Sequence, residues 1–342
     1  MKEVVAIGIS GGVDSSVAAY LLKEAGYDVI GITMKLIDDD ATNKAILDGK
    51  VICSEIGIKH YVVDYVDEFR QIVINNFIEA YKAGKTPNPC VVCNKYFKFG
   101  LFYEKAMELG ASKIATGHYA KIENGKLKMA NTKEKDQSYF LYGINREILG
   151  NILFPLSDYE DKEHVREIAT KLNLSTKEKK DSQEICFIPN DDYISYLESN
   201  INEDILSGDI CLKDGTVLGK HNGLIHYTIG QRKGLGISYS EPLYVTEIDT
   251  LNNRVIVSVN DDLFKDELIA KNINLLGDEL PDEVYAKIRS RAVPALADVI
   301  INGNEMIVKF KEKQRAITEG QSVVLYDKDG YLLGGGIIDK VM

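Results

Sequence analysis

Two short stretches hold the residues whose types and spacing suit chemistry. Residues 86–95 read TPNPCVVCNK, with Val91 and Val92 between Cys90 and Cys93 and a proline on either side of Asn88. Thiols at this spacing serve as half of a zinc site, a thioredoxin-like redox pair, iron–sulfur ligands, or two cysteines with separate fates. Residues 8–18 read GISGGVDSSVA. Gly11 and Gly12 permit backbone angles that turn successive amides inward, and Ser10, Ser15 and Ser16 add hydroxyl donors. A β-rich run, VVAIGIS, ends at this string and a helical pattern from about Ser15 to Ala25 begins there. The helix N-terminus adds positive potential, and together Gly8, Ile9, Ser10, Gly11, Gly12, Val13, Asp14, Ser15 and Ser16 describe an anion cradle.

That cradle lacks the Gly-Lys-Ser/Thr ending that aims a lysine at β and γ phosphates. Asp14 inside a phosphate loop repels its ligand unless it holds Mg²⁺ or a bound water, which points to a metal-bridged pyrophosphate. The plainer reading of the string is a tight turn with a helix cap.

The elements that must position these residues follow from the pattern. Strand-like runs at 4–10, 28–36, 60–66 and 113–120 alternate with helical segments around 15–25, 42–57, 67–83 and 96–110. Such alternation implies a parallel sheet covered on both faces. IENGKLKM, with Asn-Gly between alternating runs, predicts a hairpin at the edge of that unit. Helical patterns return at 160–173 and 191–199; beyond about 203 only short strands and turn signals remain. The expected organisation is an α/β catalytic domain over 1–203, a small central β domain over 204–268 and a C-terminal β barrel over 271–342.

At 342 residues the chain is long enough for two or three domains, and 45% apolar with 27% charged residues is ordinary globular composition. No apolar run reaches the length of a membrane span, so no membrane association is expected and the predicted location is cytoplasmic. Cys53, Cys90, Cys93, Cys186 and Cys211 are too sparse and odd in number for a disulfide framework, leaving ligating or reactive roles open. A net charge of −11 opposes indiscriminate nucleic-acid binding, although Lys82, Lys85, Lys95, Lys98 and Lys105 form a local basic run.

SGGVDSS at the end of the first strand resembles the PP-loop signature of ATP pyrophosphatases, which split ATP between the α and β phosphates and adenylate an oxygen. Further segments narrow the resemblance: GKTPNPCVVCNKYFKFG, ATGHYA, KDQSYFL, FPLS, KKDSQEICFIP, HYTIGQRKGLGI and RAITEGQSVVLYD occur in the order found in tRNA-specific 2-thiouridylases, across essentially the whole chain. That family implies an adenine nucleotide alpha hydrolase-like PP-loop domain followed by two small β domains. It also implies an activity: sulfur replaces the 2-oxygen of the wobble uridine of tRNA after ATP has adenylated that oxygen. The expected partners are tRNA and a sulfur donor, either a cysteine desulfurase relay protein or sulfide.

By the same resemblance Cys93 is the nucleophile and Cys186 the persulfide carrier, the two ending each cycle as a disulfide that must be reduced. Asn88, Pro89 and Cys90 match the segment against the target base, where a rigid proline-bounded wall suits a base turned out of its loop. Met34 matches a residue packed on adenine and Gly117 a nucleotide contact. His118, Lys135, Asp136, Gln137, Arg289, Ser290 and Gln321 match tRNA contacts. Arg232 and Lys233 suit either a phosphate contact or a solvated loop.

Two departures matter. Many relatives carry Asp where this chain has Cys90, and the segment between Met34 and Asp64 is shorter and keeps only Cys53. Cys90, Cys93 and Cys186 therefore admit a second scheme, three ligands of a [4Fe-4S] cluster whose open iron delivers hydrosulfide. Zinc is disfavoured by the lack of a second Cys-x-x-Cys, and a thioredoxin role by the lack of that fold's strand and helix around the pair. Competing functions are a PP-loop ligase joining another substrate to an amine, and a tRNA- or nucleotide-binding relative without catalysis.

Overall fold

The computed structural model describes residues 2–132, 135–159, 161–179 and 185–342. Residues 180–184 of KKDSQEICFIP, and residue 160 at the start of a predicted helix, lie outside them.

The first strand, β1 (Val4–Gly8), is apolar on both faces, as a central parallel strand must be. It is followed by α1 (Val13–Glu24), β2 (Asp28–Lys35), α2 (Asp40–Ile56) and β3 (Lys59–Asp64). Asp39 caps α2 by accepting from Thr42 N, and Gly57 at φ +71° ends it. Next comes one continuous helical stretch, α3 (Val66–Phe69) and α4 (Asn75–Lys82) joined by a π-helical turn. A second such stretch joins α5 (Pro89–Cys93) to α6 (Phe102–Glu108) through a π-helix over Asn94–Leu101. The chain then forms β4 (Lys113–Ala115), the hairpin β5 (Lys121–Glu123) and β6 (Lys126–Lys128), β7 (Ile152–Leu153), α7 (Lys162–Lys171) and α8 (Tyr193–Asn200).

The sheet is parallel in the order β3-β2-β1-β4-β7. The chain winds from β1 to one side through β2 and β3, then crosses to the other side at β4. The junction of β1 and β4 is thus a topological switch point, where open α/β sheets bind ligands at their carboxyl ends. The sequence pattern carries β4 on to Ala120. The strand ends at Ala115 because Gly117 already lies against the start of α1.

The central unit is a four-stranded sheet, β10-β11-β8-β9, built from β8 (Gly208–Leu212), β9 (Val217–His221), β10 (Tyr244–Asp249) and β11 (Arg254–Ser258). The last unit is a closed barrel of β12 (Phe264–Leu275), β13 (Val284–Lys287), β14 (Ala295–Asn302), β15 (Glu305–Arg315), β16 (Ser322–Tyr326) and β17 (Leu332–Val341). β12 runs unbroken through residues 268–271, where the sequence pattern suggests a seam.

The barrel packs on the first domain through a shared core. Val324, Tyr326 and Leu332 join Phe99, Phe102, Tyr139 and Tyr142 in one buried cluster, and Tyr139 Oη donates to Ser322 O at 2.9 Å. The β5–β6 hairpin turns at Asn124 and Gly125, both at positive φ. It leans on the barrel as well: Met129 N donates to Gly330 O at 2.9 Å, and Lys128 lies over the Tyr331 ring.

Candidate active site

The loop between β1 and α1 folds as a cradle. Gly11 takes φ +72°, and a Cβ there would come 2.8 Å from Ala45 O on α2. Ser10 Oγ and Ser15 Oγ lie 3.2 Å apart, Gly12 N donates to Ser10 Oγ, and Ser16 Oγ donates to Gly12 O at 2.7 Å. The serines therefore brace the loop, while the first-turn amides of α1 have no intrahelical partner and point out of the helix end. Gly117 closes the opposite side, since a Cβ would sit 3.0 Å from Ser15 N and 3.1 Å from Asp14 C. Met34, at the carboxyl end of β2, is half-buried between the sheet core and the aromatic cluster around Cys93.

Two lysines not singled out in the sequence, Lys162 and the Lys179 that opens KKDSQEICFIP, reach this loop. Lys162 of α7 pairs with Asp14, Nζ to Oδ2 2.7 Å, and Tyr119 Oη donates to Asp14 Oδ1 at 3.0 Å. Lys179 donates to Gly11 O at 3.0 Å and to Asp48 Oδ2 at 2.8 Å. Two ammonium groups, from 148 and 168 positions downstream of their partners, thus stand at a loop that has no Walker lysine of its own. Gln137 steadies Tyr119 through both backbone directions, Tyr119 N to Gln137 Oε1 at 3.0 Å and Gln137 N to Tyr119 O at 2.9 Å.

The cysteines gather around a separate aromatic cluster. Cys93 is buried with Phe69, Phe77, Phe97 and Ile225. Phe187 and Ile188 enter the same cluster, the Phe187 ring meeting Phe69 and Phe77 edge-on at 5.9 and 5.4 Å between centroids. Because Phe187 follows Cys186 directly, this anchoring draws Cys186 toward Cys93. Cys90 and Cys186 retain exposed surface, yet the protein around each sulfur raises its thiol. Burial raises Cys93 and Cys90, and pushes Cys186 up to about 12 with help from Cys93 and Cys90 nearby. The Lys98 ammonium is the charge that opposes this at all three sulfurs.

Lys98 reaches that position through the π-helix. In an α-helix the fifth residue on from Cys93 would point well away from it; in i→i+5 turns it returns to nearly the same face. Lys98 Nζ also lies 3.4 Å from His118 Nε2, and His118 Nδ1 lies 2.7 Å from Thr116 Oγ1. An ammonium can only donate, so Nε2 accepts and Nδ1 carries the proton. Burial, and then the Lys98 charge, hold His118 well below its ordinary pKa, so the ring is neutral. His118 is packed between Phe99 and Phe154 and is 8% exposed, a buried link between Gly117 and the cysteines. Beside Cys93, the Asn94 amide donates to Phe140 O at 3.0 Å.

The remaining residues singled out in the sequence are dispersed. Asn88 and Pro89 open α5, with Pro89 in its first turn. Lys135 is exposed. Asp136 turns inward, accepting from Ala130 N and from Ser138 N and Oγ, with Lys287 of the barrel at 4.0 Å. Arg289 donates to Ala316 O at 2.9 Å and Thr318 Oγ1 at 2.7 Å, while Ser290 beside it is half-buried. Gln321 Nε2 donates to Thr86 O and Pro87 O, at the root of the cysteine helix. Cys53 packs against Gly31 in the sheet core, its thiol pushed up to about 11 by burial, and Cys211 is buried in β8.

Parallel sheet, serine- and glycine-built loop and two appended β units define the chain as a HUP-domain protein with a PRC-type barrel and a terminal β barrel. Family models match in that order: a "tRNA methyl transferase HUP domain" over residues 3–190, a "tRNA methyl transferase PRC-barrel domain" over 194–259 and an "Aminomethyltransferase beta-barrel domain" over 265–338. The tRNA-specific 2-thiouridylase MnmA of Clostridioides difficile is 47% identical to this chain, covering 99% of each, and that of Clostridium acetobutylicum is 47% identical over 99% of this chain and all of its own length. The chain belongs to the tRNA-specific 2-thiouridylase family. Among solved structures, the U34-tRNA thiolase NcsA of Methanococcus maripaludis with its [4Fe-4S] cluster is 21% identical at a TM-score of 0.38, covering 58% of this chain and 65% of its own. NMN synthetase of Francisella tularensis is 17% identical at 0.35, covering 53% and 67%. Among the described residues no helix is long and apolar enough to cross a membrane.

Proposed function

We infer that this chain uses ATP to replace the 2-oxygen of the wobble uridine of tRNA with sulfur. The observation that carries this reading is the continuity of the two halves of the site. Gly117 touches the nucleotide loop, and the next residue, His118, takes the ammonium of the lysine that faces the cysteines. A nucleotide loop joined in this way to paired thiols suits a reaction that first activates an oxygen and then displaces it with sulfur.

The uridine 2-oxygen attacks the ATP α-phosphorus and pyrophosphate leaves, toward the loop amides, Lys162 and Lys179. The Cys93 thiolate attacks the inner sulfur of a Cys186 persulfide; a Cys93–Cys186 disulfide forms and hydrosulfide is released. Hydrosulfide adds to the ring carbon and AMP departs with the former 2-oxygen. With a relay protein as donor, an external dithiol reduces the disulfide and the relay persulfide passes its outer sulfur to the Cys186 thiolate, leaving as a thiolate; with sulfide as donor, hydrosulfide attacks the Cys186 sulfur of the disulfide itself, giving the Cys186 persulfide and releasing the Cys93 thiolate. Met34 and Gly117 would flank the adenylate, and Asn88, Pro89 and Cys90 the everted base. Lys135, Ser290 and Arg289 would face the tRNA, with His118, Asp136 and Gln137 shaping the surface they present.

Both oxygens of Asp14 are committed to Tyr119 and Lys162, so this loop does not offer Mg²⁺ a free carboxylate as it stands. Cys90, Cys93 and Cys186 share one electrostatic environment, but among the described residues no trio of His, Cys, Asp or Glu is gathered closely enough to hold a metal, which leaves a [4Fe-4S] cluster without a preformed seat.

Thionucleoside analysis of tRNA from a strain lacking the gene tests the reading. Loss of 2-thiouridine, restored by the intact chain and not by Cys93→Ser or Cys186→Ser, is expected. Normal 2-thiouridine in the deletion strain would refute it.

A further inference from the structure

The peptide leading to Cys90 and Cys93 is gripped from outside its own domain. Thr86 N donates to Glu319 O at 2.9 Å, and Gln321 Nε2 donates to Thr86 O at 2.9 Å and to Pro87 O at 3.3 Å. One residue earlier, Lys85 pairs with Asp339 of β17 at 2.7 Å. Gly320, at φ +88°, makes the approach possible: a Cβ there would lie 2.9 Å from both Thr86 N and Thr86 O. Bonds along both backbone directions of Thr86, closed by a side-chain amide, amount to a clamp between the 318–321 turn of the barrel and the root of α5.

Between the clamp and the thiols there is little slack. Pro87 and Pro89 each fix one backbone torsion, and Pro89 is already in the first turn of α5. A shift of Thr86 is therefore passed to Cys90 and Cys93 instead of being absorbed by the linker. The far end of the clamp stands on the ordered barrel, since Gly320 N donates to Ile338 O and Ile338 N to Gln321 O, both at 2.8 Å.

We propose that Gln321 is a positioning residue for the nucleophile: through Thr86 and Pro87 it sets where α5 presents Cys93, and so couples what the barrel holds to the sulfur-transfer site. This rests on the thiolation reading above for its consequence, although the clamp itself does not depend on it. A side chain that only touched tRNA would have no need of the Thr86 and Pro87 carbonyls.

The test uses the full-length chain with Gln321→Met, which keeps length and loses the donor, and Gly320→Ala, which forces the turn away from Thr86. Hydrogen exchange across residues 86–97 is followed without ligand, and kcat and KM for tRNA are measured in thiolation. Both variants should raise exchange over 88–93 by roughly tenfold, the scale of a lost hydrogen bond or two; the melting temperature should stay nearly unchanged in Gln321→Met and fall in Gly320→Ala, whose alanine is strained at φ +88°. They should lower kcat more than they raise KM for tRNA. Unchanged exchange in both variants, or a rise confined to KM with kcat intact, overturns the proposal and leaves Gln321 a tRNA contact alone. A rise in exchange in a protein whose wild type makes no 2-thiouridine would count against the thiolation reading and for the clamp.

Discussion

Lys162 Nζ lies 2.7 Å from Asp14 Oδ2, so a cation from α7 neutralises the carboxylate in the first turn of α1. The pair is only partly exposed, with side-chain accessibilities of 15% and 27%, which keeps it from being fully screened by water. On the proposed function, Lys162→Met should leave the Asp14 charge at the nucleotide loop uncompensated. The rate of pyrophosphate release should fall by roughly tenfold or more, the effect of about 1.4 kcal/mol at the transition state. Stopped-flow pyrophosphate detection checks this, and an unchanged rate would show that Lys162 has no part in handling the nucleotide.

Gly117 is needed for space, its φ lying outside the range that favours glycine. Gly117→Ala should push a methyl into the Ser15 amide and the Asp14 carbonyl carbon and distort the helix end that faces the phosphates. ATP binding, followed by equilibrium dialysis, should weaken about tenfold while the far-ultraviolet circular dichroism stays the same. Wild-type affinity in the variant would show that the loop gives way at no cost.

Phe187 anchors the segment that carries Cys186 in the aromatic cluster around Cys93. Phe187→Ala should destabilise the chain by about 3–5 kcal/mol, the usual range for emptying a buried aromatic site. It should also slow formation of a Cys93–Cys186 disulfide under mild oxidation, read by mass spectrometry of non-reduced peptides. If disulfide formation keeps its rate, something other than the aromatic cluster brings Cys186 to Cys93.

His118 gives the stability a pH dependence. Its folded pKa is held well below the ordinary 6.5, so the unfolded chain binds the proton more readily. The stabilisation from a neutral buried ring is full above pH about 6.5, and it is lost as pH falls from there toward the folded value. His118→Asn should flatten the fall in melting temperature over that acid range, measured by calorimetry in steps of pH. An identical slope in both proteins would mean that the imidazole is not what titrates.

Much of this molecule is legible along the chain because the relevant physics is local. The apolar run of β1, the glycines and serines behind it and the helix after them identify an anion loop without reference to any distant residue. The alternation of strand and helix patterns implies the parallel sheet, and the change of texture after about residue 203 implies the β units. Cys90 and Cys93 declare themselves by spacing, and Cys186 by the segment around it.

What the sequence leaves open is every relation between residues far apart in the chain. Lys162 lies at a helix end with no motif of its own and Lys179 at the edge of the Cys186 segment, and they reach the loop only when α7 packs against α1. Gln321 reads as a polar residue on a β loop until the barrel docks and its amide meets Thr86 and Pro87. His118 reads as a strand-end histidine that matches a tRNA contact, and the fold buries it between two phenylalanines and a lysine turned toward it by a π-helix. The sequence alone determined the local conformations and the chemical groups on offer, since backbone torsions and side-chain types act over a few residues. Only the tertiary structure decided which charges are compensated, which thiols are desolvated and which loop is clamped, because those energies depend on distance and solvent exclusion in three dimensions.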